Sequence, residues 1–209
     1  MDGVVIDSNH IHLENWNGVF KKRFNKNISE KKFAEHLGES PKEFTGNMLK
    51  IAGINSSYDD IYPIIKENYL KLKYKIKLKQ GLVEILKKLK RRYKIALATG
   101  AAKENAIDTL NSFGISDYFD CIVGGDEVKR AKPDPEIFIK AAKMLKLQPA
   151  ECAVIEDAKM GIIAAKEAGT FAISIPDNLT RHQDHGKADL HLKSIAELND
   201  ELLDKIGNK

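Results

Sequence analysis

Apolar positions along this chain follow two periods, and the change falls near Lys79. From Asn9 to about Lys75 they recur every three or four residues, which is the helical period. Ile11, Trp16, Val19, Phe20 and Phe24 mark a first helix, with Asp7 or Ser8 placed to cap it. Ser29 begins a second segment, with Phe33 and Leu37 four apart and Gly38 as its stop. Ser40-Pro41 restarts a helix that carries Phe44, Met48, Leu49 and Ile51, because proline suits a first turn. After a turn at Gly53 to Ser57, an amphipathic helix over 59–74 has a stripe through Tyr62, Ile65, Tyr69, Leu72 and Ile76. No strand pattern interrupts this stretch.

Past Lys79 the apolar residues come in short runs, at 94–100, 121–125, 152–155 and 171–175. Between them lie helical patterns at 82–93, 103–113, 136–146 and 159–168, and a last helix is predicted over 194–206. Short apolar strands alternating with amphipathic helices predict a parallel sheet covered on both faces. The expected fold is α/β, a Rossmann-like three-layer core of residues 1–8 and 76–209 with an inserted all-helical cap at 9–75. Met1 to Ser8 reads as the end of a buried strand running into a loop. The stretch Asp177 to Asp189 is the only extended polar loop of the core.

The charge pattern adds a little to this picture. The net charge of +4 sits entirely in residues 9–75, with 12 Lys/Arg against 8 Asp/Glu; the remainder is balanced at 22 and 22. A solvated lysine-rich surface accounts for that, and a lid attracting an anionic substrate is the functional alternative. No compact Lys/Arg run interleaves with aromatics, so no nucleic-acid partner is expected. Cys121 and Cys152 lie in apolar stretches and do not read as a disulfide framework, which fits a reducing compartment. No apolar run reaches the length of a bilayer span and no signal peptide is visible. A cytoplasmic protein without a membrane partner is expected, as a monomer or weak dimer.

The polar groups of the core fall at strand ends: Asp2 after the first, Thr99 after the second, Glu156 and Asp157 after the fourth. In open parallel sheets ligands bind at the carboxyl ends of strands. For a single Asp at such a place a helix cap is the simple explanation. Two adjacent acids on an apolar strand ask for more.

At these residues the chain resembles the haloacid-dehalogenase-like hydrolases, in the branch of β-phosphoglucomutase and phosphoglycolate phosphatase. The resemblance rests on Met1-Asp2-Gly3-Val4-Val5-Ile6-Asp7-Ser8, Ala98-Thr99-Gly100, Lys132-Pro133-Asp134-Pro135-Glu136-Ile137-Phe138, and Val154-Ile155-Glu156-Asp157-Ala158 with Gly161-Ile162. His12 and Trp16 match a His-x-x-x-Trp pattern that often begins the helical cap in this branch. The resemblance implies that Asp157 binds Mg²⁺ directly, that Glu156 binds or orients it, and that the Asp2 carbonyl is a further ligand. Oxygen ligands with no His or Cys beside them suit magnesium rather than zinc. Asp2 would act as general acid and base. Lys132 would neutralise phosphoryl oxygens. The Thr99 hydroxyl and the amides of Gly100 and Ala101 would hold phosphate. His12 would lie on the cap face near the substrate, while Trp16 packs between helices. His182-x-x-His185 reads as a solvated pair, and Asp126-Glu127 as loop-capping charge.

The family's covalent nucleophile is an aspartate two residues ahead of Asp2, a position this sequence does not contain. Two expectations follow: a longer protein with an apolar strand leading into Asp2, or a short chain that does not turn over. A sheet without that strand would be under-packed. The implied activity is Mg²⁺-dependent hydrolysis of a small phosphorylated metabolite, of sugar-phosphate or phosphoglycolate type, through an aspartyl-phosphate. A phosphosugar mutase is the alternative within enzymes, weakened by Pro41 where mutases place an arginine in a Gly-x-Ser-Arg loop. A catalytically dead phosphate-ester binder is the alternative outside them.

Overall fold

The computed structural model describes residues 1–207. After a loop at residues 1–5 the chain forms β1 (Ile6–Asp7) and then four helices, α1 (Asn9–Phe24), α2 (Glu30–Ala34), α3 (Pro41–Ala52) and α4 (Tyr58–Leu72). It returns through β2 (Lys77–Leu78), which pairs antiparallel with β1, Ile6 opposite Leu78 and Asp7 opposite Lys77. The chain therefore leaves and re-enters the α/β part at one two-stranded crossing.

The helical segment encloses its own core. Phe20, Phe33 and Met48 are fully buried among Trp16, Val19, Leu49, Ile61 and Ile65. Phe44 meets Trp16 and Phe33 edge-on, at 5.4 and 5.0 Å between centroids, a favoured geometry for aromatic pairs. Ser40 with Glu43 and Ser57 with Asp60 form complete capping boxes that start α3 and α4. Gly53 ends α3 with φ 63°, a left-handed conformation open to glycine. The predicted stripe of α4 is corrected by its start: the helix begins at Tyr58, and Ile61 joins Ile65 as its most buried residue.

The α/β part continues with α5 (Leu82–Lys90), β3 (Ala96–Ala98), α6 (Lys103–Ser112), β4 (Cys121–Val123), α7 (Glu136–Leu145), β5 (Ala153–Glu156), α8 (Lys159–Glu167), β6 (Phe171–Ser174), β7 (Leu190–His191) and α9 (Asp200–Gly207). β3 runs parallel to β4, and β5 to β6 and β7. Alternation along the strands makes three layers. Leu97 and Ile173 face α5 and α6, while Ala96, Ala98, Val123 and Ala172 face α7 and α8. Among the described residues β3 pairs only with β4, and β5 has β6 as its neighbour. A cavity of about 370 Å³ lies between the two blocks, lined by Ala96, Ala98, Val154, Ile155 and Met1 among others. Ala153 is exposed although it sits in a core strand.

Two further expectations are corrected at the carboxyl end. The polar loop after β6 ends in the short strand β7, unseen in the sequence because Leu190-His191 is too brief to show a period. The last helix starts at Asp200 rather than Ser194. Ser194 caps a single tight turn, Ile195–Glu197, and Leu198 leaves it extended to bury its side chain in the core.

Candidate active site

The site is built on the loop before β1. Asp2 Oδ1 accepts from the Ser8 hydroxyl at 2.5 Å and lies 3.2 Å from His12 Nε2. Ser8 thus spends its side chain on Asp2 and does not cap α1, where no side-chain cap bond is present. Asp7 does not cap it either, since its carboxylate pairs with Lys79 at 3.0 Å. Partial burial opposes ionisation of Asp2. The His12 bond and charge and the Ser8 bond hold the carboxyl below its ordinary range. Tyr69 stacks on the His12 ring at 4.4 Å and fixes its plane. Burial, helped by the Asp2 charge, raises the Tyr69 phenol, so it stays protonated.

The two acids predicted on the fourth apolar run end β5. Both are buried, Glu156 at 7 % and Asp157 at 6 % exposure. Glycines make room for them. A Cβ at Gly3 would lie 2.0 Å from Asp157 Oδ2, and one at Gly161 2.2 Å from Glu156 Oε2. Asp157 therefore rests on the backbone beside Asp2, which brings the first and last motifs together. Lys132 Nζ pairs with Glu156 Oε1 and stands 4.8 Å over the Phe138 ring. Among the described residues Asp157 pairs with no lysine. Asn9 Nδ2 donates to its Oδ2 at 3.0 Å. Burial raises the Asp157 carboxyl, and the charges of Glu156 and Asp177 raise it further.

Thr99 is buried at the end of β3, with its amide on Val123 O at 3.0 Å and its hydroxyl accepting from Ala101 N at 3.2 Å. Gly125 N donates to Ala101 O at 2.8 Å and pins this loop to the one after β4. Gly100 is exposed. These three residues share the carboxyl edge with Glu156 and Asp157 but make no hydrogen bond to them among those described. Asp126 and Glu127 accept from the amides of Lys103 and Gly124, the loop-capping role expected of them.

Sequence reasoning missed Ser8, Asn9, Tyr69 and Asp177 as site residues. Asp177 had a legible signal: it follows a strand and a proline, at the same edge as the other acids. Its side chain is 6 % exposed and accepts from Asn9 Nδ2 at 2.5 Å. The loop that carries it is ordered from within. His185, expected to be solvated, is buried, 3.0 Å from the Ser174 hydroxyl through Nδ1 and 2.9 Å from Thr180 O through Nε2.

Among the described residues no three of His, Cys, Asp and Glu gather at a geometry for one metal ion. The donor set still fits a hard cation that takes main-chain oxygen as well. Three acids converge on one edge, a single lysine meets Glu156, and the Asp157 carboxylate lies directly against the Asp2-Gly3 backbone.

The helical segment reaches over this edge. A Cβ at Gly38 would come within 2.9 Å of the Ala158 methyl, next to Asp157. Gln183 accepts from Lys159 N at 2.7 Å and donates to Ala34 O and Leu37 O at 2.8 and 3.1 Å.

Parallel strands delivering acids and a threonine to one edge, with a loop lysine paired to one of the acids and a helical insertion beside them, define a Rossmann-like hydrolase. The chain belongs to the haloacid dehalogenase-like hydrolases, whose family model matches residues 1–175. It is 30 % identical over 198 residues to a phosphorylated carbohydrates phosphatase of Thermotoga maritima, covering 94 % of this chain and 90 % of that one. It is also 30 % identical over 214 residues to β-phosphoglucomutase of Bacillus subtilis, covering 97 % and 91 %. Among solved structures, β-phosphoglucomutase of Clostridium difficile superposes with TM-score 0.84 at 29 % identity, over 99 % of this chain and 94 % of that one. The phosphate complex of CbbY from Rhodobacter sphaeroides gives 0.83 at 27 %, over 95 % and 93 %.

Proposed function

We propose that this chain carries the site of a Mg²⁺-dependent phosphatase acting on a small phosphorylated metabolite of the sugar-phosphate kind. The observation that carries the proposal is the buried Asp157 carboxylate resting on the Asp2-Gly3 backbone, with the Lys132–Glu156 pair beside it. The phosphatase and mutase names of the relatives support it. Residues 9–75 act as the cap and residues 1–8 and 76–209 as the core. The closed helical core and the single β1–β2 crossing support that division.

A phosphate monoester is anionic, so attack by a carboxylate is opposed by repulsion. Asp157, Glu156 and the Asp2 carbonyl would hold Mg²⁺, which when bound supplies charge to offset that repulsion. Lys132 adds a fixed cation, and its pairing with Glu156 keeps it aimed at the edge. Thr99 and the amides of Gly100 and Ala101 offer hydrogen bonds to phosphate oxygens. Asp2 is ionised in this geometry, the form that activates an incoming water. An arriving phosphate dianion raises its proton affinity by like charge, which prepares it to protonate the leaving alcohol. His12 and Ser8 keep its carboxylate oriented through both steps. The cap excludes bulk water from this edge.

Hydrolysis is preferred over mutase chemistry because Pro41 opens α3 where a mutase loop presents an arginine. The neighbouring Glu39 is engaged by His36 and Asn47, at 2.7 and 2.8 Å. The cytoplasmic placement remains part of the proposal. Cys121 and Cys152 are both free, and among the described residues no helix is long and apolar enough to cross a membrane.

The test uses an aryl phosphate with Mg²⁺ and two proteins, this chain and the same chain with an apolar strand ending in Asp joined ahead of Met1. Turnover by the extended protein alone, reduced about a thousandfold by Asp157→Ala, is the expected result, several kcal/mol of barrier. Good turnover by the chain as given would show the nucleophile to be elsewhere. Folding of both without turnover would favour the binder.

A further inference from the structure

The two strands that join the helical segment to the core are linked to Asp157 by an unbroken polar path. Lys79, directly after β2, has Nζ 3.0 Å from Asp7 Oδ1 on β1 and 4.0 Å from Asp177 Oδ2. Asn9 is the first residue of α1, and its amide nitrogen donates to Asp177 Oδ2 at 2.5 Å and to Asp157 Oδ2 at 3.0 Å. A side-chain amide has two hydrogens, and here both go to carboxylates. Asn9 is 3 % exposed, and the side chain of Asp177 6 %.

Asp177 is held firmly from its other side. Its Oδ1 accepts from Leu179 N at 2.8 Å, Thr180 N at 3.0 Å and the Thr180 hydroxyl at 3.3 Å. Asp177 is therefore a fixed anchor, and Asn9 spans from it to Asp157. The residues on the two sides of this bridge belong to different bodies. Asp157 and Asp177 follow strands of the α/β part, and Asn9 heads the first helix of the insertion. A rotation of α1 about the β1–β2 crossing changes the position of Asn9 relative to both acids.

We infer that Asn9 is a positioning residue that sets the Asp157 carboxylate for a divalent cation and, by its place at the head of α1, ties cation binding to the position of the cap. The inference rests on the reading of Asp157 as a cation ligand. Groups that orient a ligand from behind shift metal affinity about 10- to 100-fold when removed. Linkage makes the coupling reciprocal: a cation that binds more tightly with the cap docked holds the cap docked by the same factor.

The experiment titrates Mn²⁺ into the full chain and follows amide hydrogen exchange over the first turn of α1, with and without the ion. Asn9→Ala is expected to weaken Mn²⁺ about tenfold and to remove the slowing of exchange that Mn²⁺ gives the wild type. Asn9→Leu fills the same volume without the amide and gives the same result, should Asn9→Ala not fold. The double variant Asn9→Ala with Asp177→Asn is expected to bind no more weakly than Asn9→Ala alone, because Asp177 acts through Asn9. Unchanged affinity in both Asn9 variants overturns the inference, and so does weaker binding by the double variant than by Asn9→Ala. Asp157→Ala separates the two levels. If it binds Mn²⁺ like the wild type, the cation-ligand reading fails; if it loses the ion while the Asn9 variants keep it, only the inference fails.

Discussion

The helical insertion and the α/β part solve the same packing problem with unequal success. The insertion buries Phe20, Phe33 and Met48 completely within one run of the chain. The α/β part keeps a cavity of about 370 Å³ between β3 and β5, with an exposed Ala153 at its rim. Helices satisfy their own backbones, and neighbours in sequence supply most of the partners for their apolar faces. A parallel strand depends on partners brought from far along the chain. The completeness of the insertion's core is thus a property of local contacts, whereas the gap in the sheet lies beside Met1, where among the described residues β3 and β5 have no strand between them.

That difference can be broken by mutation. The largest effect is expected at Phe20, at 0 % exposure and in edge contact with Trp16 and Phe24. Phe20→Ala should cost about 3–5 kcal/mol, because a closed core cannot collapse around the hole. Leu97, on β3, lines the cavity already. Leu97→Ala should cost about 2 kcal/mol, at the low end for its type, since fewer neighbours lose contacts. Chemical denaturation of both variants checks the order. Equal losses would mean that the sheet core is as tightly packed as the helical one. Ser40→Ala comes third, at about 1 kcal/mol, because it removes the hydroxyl half of the capping box that starts α3. A thermal melt reads that change.

Legibility in the sequence divides along the same line. The helices of the insertion were readable at the boundaries that Ser29, Ser40 and Gly53 mark chemically, but α2 stops at Ala34, short of Leu37 and of the Gly38 read as its stop. The strands were readable as short apolar runs, and the paired acids Glu156 and Asp157 as chemistry placed after one of them. What the sequence hid was pairing. Nothing local distinguishes Ile6-Asp7 as a crossing strand partnered by Lys77-Leu78, or gives Leu190-His191 a strand's period. The site divides similarly. Asp2, Thr99, Lys132, Glu156 and Asp157 come from motifs. Asn9 and Asp177 stand 168 residues apart and meet only in the fold. Ser8 misled for a physical reason: a serine before a helix is the ordinary cap, and only the folded loop shows that Asp2 competes for its hydroxyl.

The smallest prediction is also the one that tests the cavity most directly. Ala98 lines it from β3 and Ala153 from β5, and both present only a methyl group. If the space is apolar and dry, adding carbon there removes void without displacing packed atoms. Ala98→Val adds two methyl carbons on a strand, where a β-branched side chain keeps a favourable rotamer. The expected result is a gain of about 1 kcal/mol, at roughly 0.8 kcal/mol per buried carbon less the cost of ordering the side chain. The same substitution in a filled core would be destabilising by about 1–3 kcal/mol through overpacking. Denaturant midpoints for Ala98→Val and, as a matched control in the insertion, Ala34→Val therefore differ in sign. Ala34 is 6 % exposed in the closed helical core. A loss at both positions would mean that the two halves of the sheet close together in solution, and the contrast between the two regions would disappear.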